Sequence, residues 1–456
     1  MEYFSTRGAV KGLKFQDAVM MGMAEDGGLL LPSEYPLIDL SNARSMTYSE
    51  LAFEIVKHFA DDIPAEELKG LLDRSYQAFD TPEVAPVVKT SECYMAELFH
   101  GPTFAFKDVA LQLLGNLFEY ILTANGEVLN ILGATSGDTG SAAIYGVRGK
   151  RNVRIVILYP EGRVSPVQEL QMTSVSDSNV HTFAVKGTFD DCQNLVKSIF
   201  SDLEFKRRYS LGAVNSINWA RIMAQIVYYF YAALRLPEGK NVNFVTPTGN
   251  FGNIFAGHCA KKMGLWIDKL VLASNENDIL HRFVSVGDYS LKDVVPTHSP
   301  SMDIQISSNL ERYLYYLLGT SGAVCDAMSA LKTDGRIVFT PEEINRVQSD
   351  FLSYSVSNLA TEEAVARLYK KNGYIVDPHT ACGVEAAYRL NLNPENTIVL
   401  STAHPAKFPD LIHKTLGFFP AEPAGIAKLH DIPVCVTHVQ GDPDIVRNAI
   451  VTAING

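Results

Sequence analysis

Short apolar runs alternate with longer amphipathic ones along most of this chain. Val128 to Leu132, Val153 to Leu158, His181 to Val185, Val242 to Val245, Leu270 to Ala273 and Thr397 to Leu400 have the length and aliphatic content of buried strands. Between them lie stretches with helical spacing: Val109 to Leu117, the alanine-rich run after Gly140, a segment from Pro166, Phe189 to Phe200, and the run through Met263. Strands that are apolar on both faces and alternate with helices predict an α/β fold with largely parallel sheets. The first 85 residues read differently. A helix from Phe15 to Met23 stops at the turn Glu25-Asp26-Gly27-Gly28, and helices follow over Tyr48 to Ala60 and Pro64 to Phe79. The pattern predicts a mainly helical N-terminal subdomain over 1–85 and an α/β region over 86–456. Within that region, 289–374 reads as a helical and loop-rich insertion.

Composition narrows the class. At 456 residues the chain has length for roughly two to four domains or subdomains and a large core. A hydrophobic content of 47% with 20% charged residues fits a soluble globular protein. The formal net charge of -12 argues against nonspecific binding to nucleic acid or to anionic membranes. Any anionic ligand must therefore meet local cations. The six cysteines are scattered, with no CxxC pair, so neither a zinc site nor a disulfide framework is expected, and a reducing cytoplasm is the simplest compartment. No secretory signal opens the chain, and the longest apolar run, Ile222 to Leu234, is too short to span a bilayer.

Candidate chemistry sits at strand-to-helix junctions, where helix N-termini offer unpaired N–H groups and partial positive charge to phosphate or carboxylate. Gly249-Asn250-Phe251-Gly252-Asn253 is one such loop, with two glycines three apart, and it is neither a Walker loop nor a dinucleotide fingerprint. Thr135-Ser136-Gly137-Asp138-Thr139-Gly140 is another, although Ser, Thr and Asp also simply cap helices. Arg221, in Asn215-Ser216-Ile217-Asn218-Trp219-Ala220-Arg221, opens the most apolar helix and needs an anion, either a ligand or a structural carboxylate. Lys107, in His100-Gly101-Pro102-Thr103-Phe104-Ala105-Phe106-Lys107-Asp108, sits in or near the first turn of a helix whose dipole disfavours the ammonium form. With Phe104 and Phe106 to desolvate it, such an amine can form a Schiff base with an aldehyde cofactor, or it can be a solvated surface lysine. Thr402 follows the last strand, and His379 and His404 are either acid–base groups or structural histidines.

Taken in order, these stretches resemble threonine synthase, a pyridoxal-phosphate enzyme of fold type II (tryptophan synthase β-like). The resemblance runs from Ser5-Thr6-Arg7-Gly8 and Asp26-Gly27-Gly28-Leu29 through HGPTFAFKD at 100–108, ATSGDTG at 134–140, NSINWARI at 215–222, GNFGN at 249–253 and DPHTACG at 377–383 to STAHPAKF at 401–408. The form is that of the longer bacterial and fungal branch, with Thr248 standing where many relatives carry serine. The resemblance implies two open α/β subdomains with pyridoxal 5'-phosphate between them. It implies Lys107 as the catalytic residue that holds the cofactor, Gly249, Asn250, Phe251, Gly252 and Asn253 around the cofactor phosphate, and Thr402 at the pyridine nitrogen. Thr135, Ser136, Gly137, Asp138 and Thr139 would meet the substrate α-carboxylate, and Ser216, Asn218 and Arg221 its phosphate.

The implied reaction turns O-phospho-L-homoserine and water into L-threonine and phosphate, by a cytoplasmic monomer or homodimer with no metal, membrane or nucleic-acid partner. The rival that shares every motif is a threonine-synthase-like phospholyase releasing 2-oxobutyrate, ammonia and phosphate. Serine/threonine dehydratases and cysteine-synthase-like enzymes are disfavoured by the NSINWAR and STRG segments. A catalytically silent binding protein is disfavoured by Lys107, GNFGN and STAHPAKF.

Overall fold

The computed structural model describes residues 1–455. The chain forms two compact units. The first comprises Met1–Asp73, Thr81–His100 and Ser216–Pro420; the second comprises Arg74–Asp80, Gly101–Asn215 and the residues from Ala421 on. The stretch expected as an N-terminal subdomain over 1–85 is therefore shared out, with all but 74–80 in the first unit. Among the described residues no helix is long and apolar enough to cross a membrane.

The first unit is built on a six-stranded sheet in the order Phe351–Ser355, Ile267–Ser274, Val242–Pro247, Thr397–Ser401, Tyr94–Glu97 and Val87–Lys89. All neighbours are parallel except the last pair. Strands 242–247 and 397–401 are buried throughout, as parallel strands covered on both faces must be. Phe351–Ser355 adds a sheet strand to 289–374, which read as helical and loop-rich. Only Phe351 of that strand is buried, and serines at 353 and 355 interrupt the apolar signal an interior strand carries. Tyr94–Glu97 and Val87–Lys89 were not expected either, because both are short and flanked by charge.

The N-terminal motifs serve this unit as a lock. Tyr3–Ser5 pairs antiparallel with Leu30–Pro32. The Arg7 guanidinium donates to both oxygens of Glu311, Nε to Oε1 at 3.1 Å and Nη2 to Oε2 at 2.9 Å, while the Thr6 hydroxyl donates to Oε1 at 2.6 Å. Asp26 accepts from the Ser5 hydroxyl at 2.7 Å and from the Gly28 and Ala9 N–H groups at 2.9 Å. Gly28 is required because a Cβ there would stand 2.1 Å from Ser5 Oγ. STRG and DGGL thus fasten the chain start to the helix Leu310–Leu318.

The second unit has a five-stranded, wholly parallel sheet ordered Thr437–Gln440, Val180–Lys186, Val153–Pro160, Leu129–Ala134, Leu211–Gly212. The edge strand Thr437–Gln440 left no sequence signal, since only Val439 of its four residues is buried. Lys107 begins the helix Lys107–Asn125, within the first turn where the spacing put it, and Asp138 begins the helix Asp138–Val147. These helices touch backbone to backbone. A Cβ on Gly115 would lie 1.8 Å from the Gly146 carbonyl oxygen, and one on Gly146 would lie 2.4 Å from that of Leu111. No side chain fits between them. Gly115→Ala is expected to force the helices apart, costing the second unit about 1–3 kcal/mol, read as a lower urea midpoint by far-UV circular dichroism. An unchanged midpoint would show that the contact is slack.

Candidate active site

In the second unit the site is a lysine, a carboxylate and a polar loop. Gly101 to Ala105 is folded back by Asp108, whose carboxylate accepts from the Thr103 N–H and hydroxyl, both at 2.8 Å. A Cβ at Gly101 would meet Asp108 Cβ at 2.4 Å, and Phe104 takes a left-handed φ of 58°. This fixes the start of the helix and aims Lys107, whose side chain is 11% exposed. Its Nζ lies 3.7 Å from Asp138 Oδ2 and 5.9 Å from the centre of the Phe106 ring. Gln168 Nε2 donates to Asp138 Oδ1 at 2.7 Å, which orients the carboxylate. Gly137 lies against that amide: with φ 143°, a Cβ there would fall 2.2 Å from Gln168 Oε1.

The loop residues divide by their commitments. The buried Thr135 hydroxyl accepts from the N–H groups of Gly137 (3.1 Å) and Gly140 (2.9 Å), so it holds the loop. Ser136 is exposed and Thr139 half-buried. The helix starting at Asp138 has no side-chain cap. Its first-turn N–H groups are the kind that receive a carboxylate.

In the first unit, strands 242–247 and 397–401 are parallel neighbours, which puts Thr248 to Gly252 and Thr402 side by side at their carboxyl ends. Phe251 adopts φ 62° as the residue before the helix Gly252–Lys262, which also starts without a side-chain cap. A left-handed non-glycine residue costs roughly 1–2 kcal/mol. The burial of its ring against Tyr313 (5.9 Å between centroids) and Phe351 (5.6 Å) offsets that cost. Asn253 Oδ1 accepts from the hydroxyls of Tyr228 (2.6 Å) and Tyr229 (3.1 Å), while its buried Nδ2 has no partner among the described residues. An uncapped helix start with a left-handed lead-in and a spare buried donor suits a phosphate ester. Thr248 donates its hydroxyl to the Thr246 carbonyl at 2.7 Å.

Thr402 is buried and positioned by the DPHT segment. Its N–H donates to the Thr380 hydroxyl at 3.1 Å, and that hydroxyl donates to Asp377. Asp377 Oδ2 lies 2.8 Å from His379 Nδ1, and His379 Nε2 accepts from the Ser301 N–H at 3.2 Å. A ring nitrogen that accepts from a backbone N–H carries no proton, so the proton is on Nδ1. His379 is a structural histidine. His404 likewise accepts through Nδ1 from the Ala406 N–H at 3.1 Å.

Of the third predicted group, Asn218 caps the helix Trp219–Arg235 through Oδ1 and donates through Nδ2 to the Val19 carbonyl at 2.8 Å. Both ends of that amide are committed to the protein. Arg221 is different. It is 4% exposed, its Nε and Nη1 have no hydrogen-bond partner among the described residues, and burial alone pulls its pKa down to about 10.

Two groups here escaped the sequence. Gln168 lies in an ordinary capped helix, Pro166–Thr173. Ser307, Ser308 and Asn309 look like any polar lead-in to a helix, yet they bind the loops on either side. Ser307 donates to the Gly249 carbonyl at 2.6 Å, and Ser308 Oγ lies 2.9 Å from Ser216 Oγ.

His258, on the helix that follows the loop, is packed against Phe255, Tyr313 and Phe351, and burial with Lys261 and Lys262 nearby lowers its pKa to about 3. An unfolded histidine titrates near 6.5. As pH falls from 6.5 towards 3, the unfolded chain gains a proton the folded chain refuses, and stability drops by about 1.4 kcal/mol per unit. His258→Phe is expected to flatten the fall in urea midpoint between pH 6 and 4 relative to wild type. Parallel curves would refute the assignment.

Family models match nearly the whole chain. Residues 2–76 match "Threonine synthase N terminus", 80–402 match "Pyridoxal-phosphate dependent enzyme", and 380–450 match "Threonine synthase, C-terminal". The chain is 48% identical to the threonine synthase of Schizosaccharomyces pombe, over 92% of this chain and 90% of that protein. It is 46% identical to that of Saccharomyces cerevisiae, over 98% and 97%. The crystal structure of a PLP-bound threonine synthase from Brucella melitensis superposes with a TM-score of 0.97 at 45% identity, covering 100% of both chains.

Proposed function

The chain belongs to the threonine synthase family of pyridoxal-phosphate enzymes, and on that premise we propose that it converts O-phospho-L-homoserine and water into L-threonine and phosphate. The observation that carries the substrate assignment is Arg221. A buried guanidinium without a counter-ion is costly. A phosphate ester supplies the missing charge and can accept from both unpartnered nitrogens.

Pyridoxal phosphate, when bound, supplies an electron sink for negative charge at the substrate's reacting carbons. The chain's own groups do the rest. Lys107 would hold the cofactor through Nζ and, once released from it, would be the base placed to move protons at the substrate's reacting carbons. Asp138, fixed by Gln168, orients the lysine; as a carboxylate it repels rather than binds the substrate's own. Ser136, Thr139 and the uncapped helix start behind Gly137 receive that α-carboxylate. Gly249 to Asn253 would hold the cofactor phosphate at the uncapped helix start. Thr402 would offer the pyridine nitrogen a neutral hydroxyl, which favours an unprotonated ring more than a carboxylate would.

Ser216 joins Arg221 at the substrate phosphate, whereas Asn218 and Thr135 shape their loops instead of touching substrate. Six unpaired cysteines fit a reducing, cytoplasmic setting.

The test is a product assay on the holoenzyme with O-phosphohomoserine, followed by proton NMR with phosphate release in parallel. Threonine equal to phosphate is expected; phosphate with 2-oxobutyrate and ammonia would identify a phospholyase instead. Arg221→Gln removes the charge that meets the phosphate. It is expected to raise KM by about 10- to 100-fold, the weight of one charge-assisted hydrogen bond, with cofactor absorbance retained. A KM within twofold of wild type would remove Arg221 from the subsite.

A further inference from the structure

Ser308 competes for the proton of a residue assigned above to the substrate. Its Oγ lies 2.9 Å from Ser216 Oγ and donates to Asn250 Oδ1 at 3.1 Å. An amide oxygen only accepts, so the single Ser308 proton is spent on Asn250. The proton between the two serines is therefore that of Ser216. Asn309 holds the arrangement rigid: its N–H and Nδ2 both donate to the Asn250 carbonyl, at 3.1 and 3.2 Å, and Nδ2 lies 3.3 Å from the Ser216 carbonyl and 3.4 Å from Ser308 Oγ. The fully buried Arg312 clamps Asn309 Oδ1 and the Ile217 carbonyl together from behind. The hydroxyl pair cannot simply drift apart.

We infer that Ser308 is a positioning residue that keeps the Ser216 hydroxyl turned away from the phosphate subsite, so that capturing an anion breaks the Ser216–Ser308 hydrogen bond and releasing the anion restores it. The inference rests on the assignment of Ser216 and Arg221 to the substrate phosphate. Two protons serve Ser216, Ser308 and Asn250, and both are in use. A phosphate that takes the Ser216 proton leaves two hydroxyl oxygens facing each other at hydrogen-bond distance, or obliges Ser308 to abandon Asn250. Either way one hydrogen bond is lost, and anion affinity is lower by its worth. The device favours release of the phosphate formed in each turnover. It also links the subsite to the loop Gly249–Asn253, since Asn250 stands at the other end of the relay.

The sign of the effect separates this role from a structural one. Inorganic phosphate is titrated into holoenzyme by isothermal calorimetry, so that the cofactor's own phosphate site is already filled. Ser308→Ala frees the Ser216 proton and is expected to bind phosphate about 5-fold tighter than wild type, the worth of one neutral hydrogen bond. Ser308→Thr, which keeps the hydroxyl, is expected to match wild type. The double variant Ser216→Ala/Ser308→Ala is expected to bind no tighter than Ser216→Ala alone. Equal or weaker binding by Ser308→Ala, or the same gain on both backgrounds, overturns the inference. If Arg221→Gln holoenzyme binds phosphate as well as wild type, the subsite assignment itself fails and the inference falls with it.

Discussion

Much of the first unit depends on one guanidinium that water never reaches. Arg312 is wholly buried, and burial pulls its pKa down to about 10. Its three nitrogens are spent on the Leu30 carbonyl, the Ile217 carbonyl and the Asn309 side chain. Those partners come from the N-terminal lock, the NSINWAR segment and the clamp that grips the glycine-rich loop. A dry cation costs far more than any single hydrogen bond returns, so the arrangement persists only while all three partners stay in place. Such a centre penalises partial structure. If one segment drifts, the charge loses part of its compensation and the other two loosen.

The second unit achieves precision by the opposite means, the removal of side chains. Gly115 and Gly146 let two helices meet at backbone distance, and the start of each carries one member of the Lys107–Asp138 pair. The distance between amine and carboxylate is thus set by packing many residues away from either. Gln168 then fixes the carboxylate and Asp108 the loop before the lysine, so neither group relies on its own flexible side chain for aim.

Much of this was legible in the sequence where periodicity and local chemistry agree. The central strands, the helix beginning at Lys107 and the loops at 135–140 and 249–253 lie close to where the hydrophobic pattern puts them. Edge strands were not legible. Phe351–Ser355 and Thr437–Gln440 bury one residue each, and a strand half in water lacks the apolar run that betrays one. Division of labour within a motif was equally hidden. Nothing in Asn-Ser-Ile-Asn-Trp-Ala-Arg distinguishes Asn218, spent on capping a helix, from Arg221, whose Nε and Nη1 have no partner among the described residues; only long-range contacts such as Val19 with Asn218 decide it. Ser308 was invisible for the same reason, because its meaning lies in two residues far from it along the chain.

The strand order of the second unit has a consequence for the chain as it is made. Val180–Lys186 is flanked on one side by Val153–Pro160 and on the other by Thr437–Gln440. During synthesis that outer neighbour does not exist until about 250 residues after Lys186 have been added, roughly 10–50 s at 5–20 residues per second. Through that interval the nascent sheet has a bare, largely apolar edge of the kind that pairs with other chains. Closing it also requires a loop spanning the whole of Ser216–Pro420, an entropic cost that local structure in the intervening unit reduces. Most of the residues between the two paired strands belong to the first unit, so any structure formed within Ser216–Pro420 before Thr437 is made shortens the loop that must close.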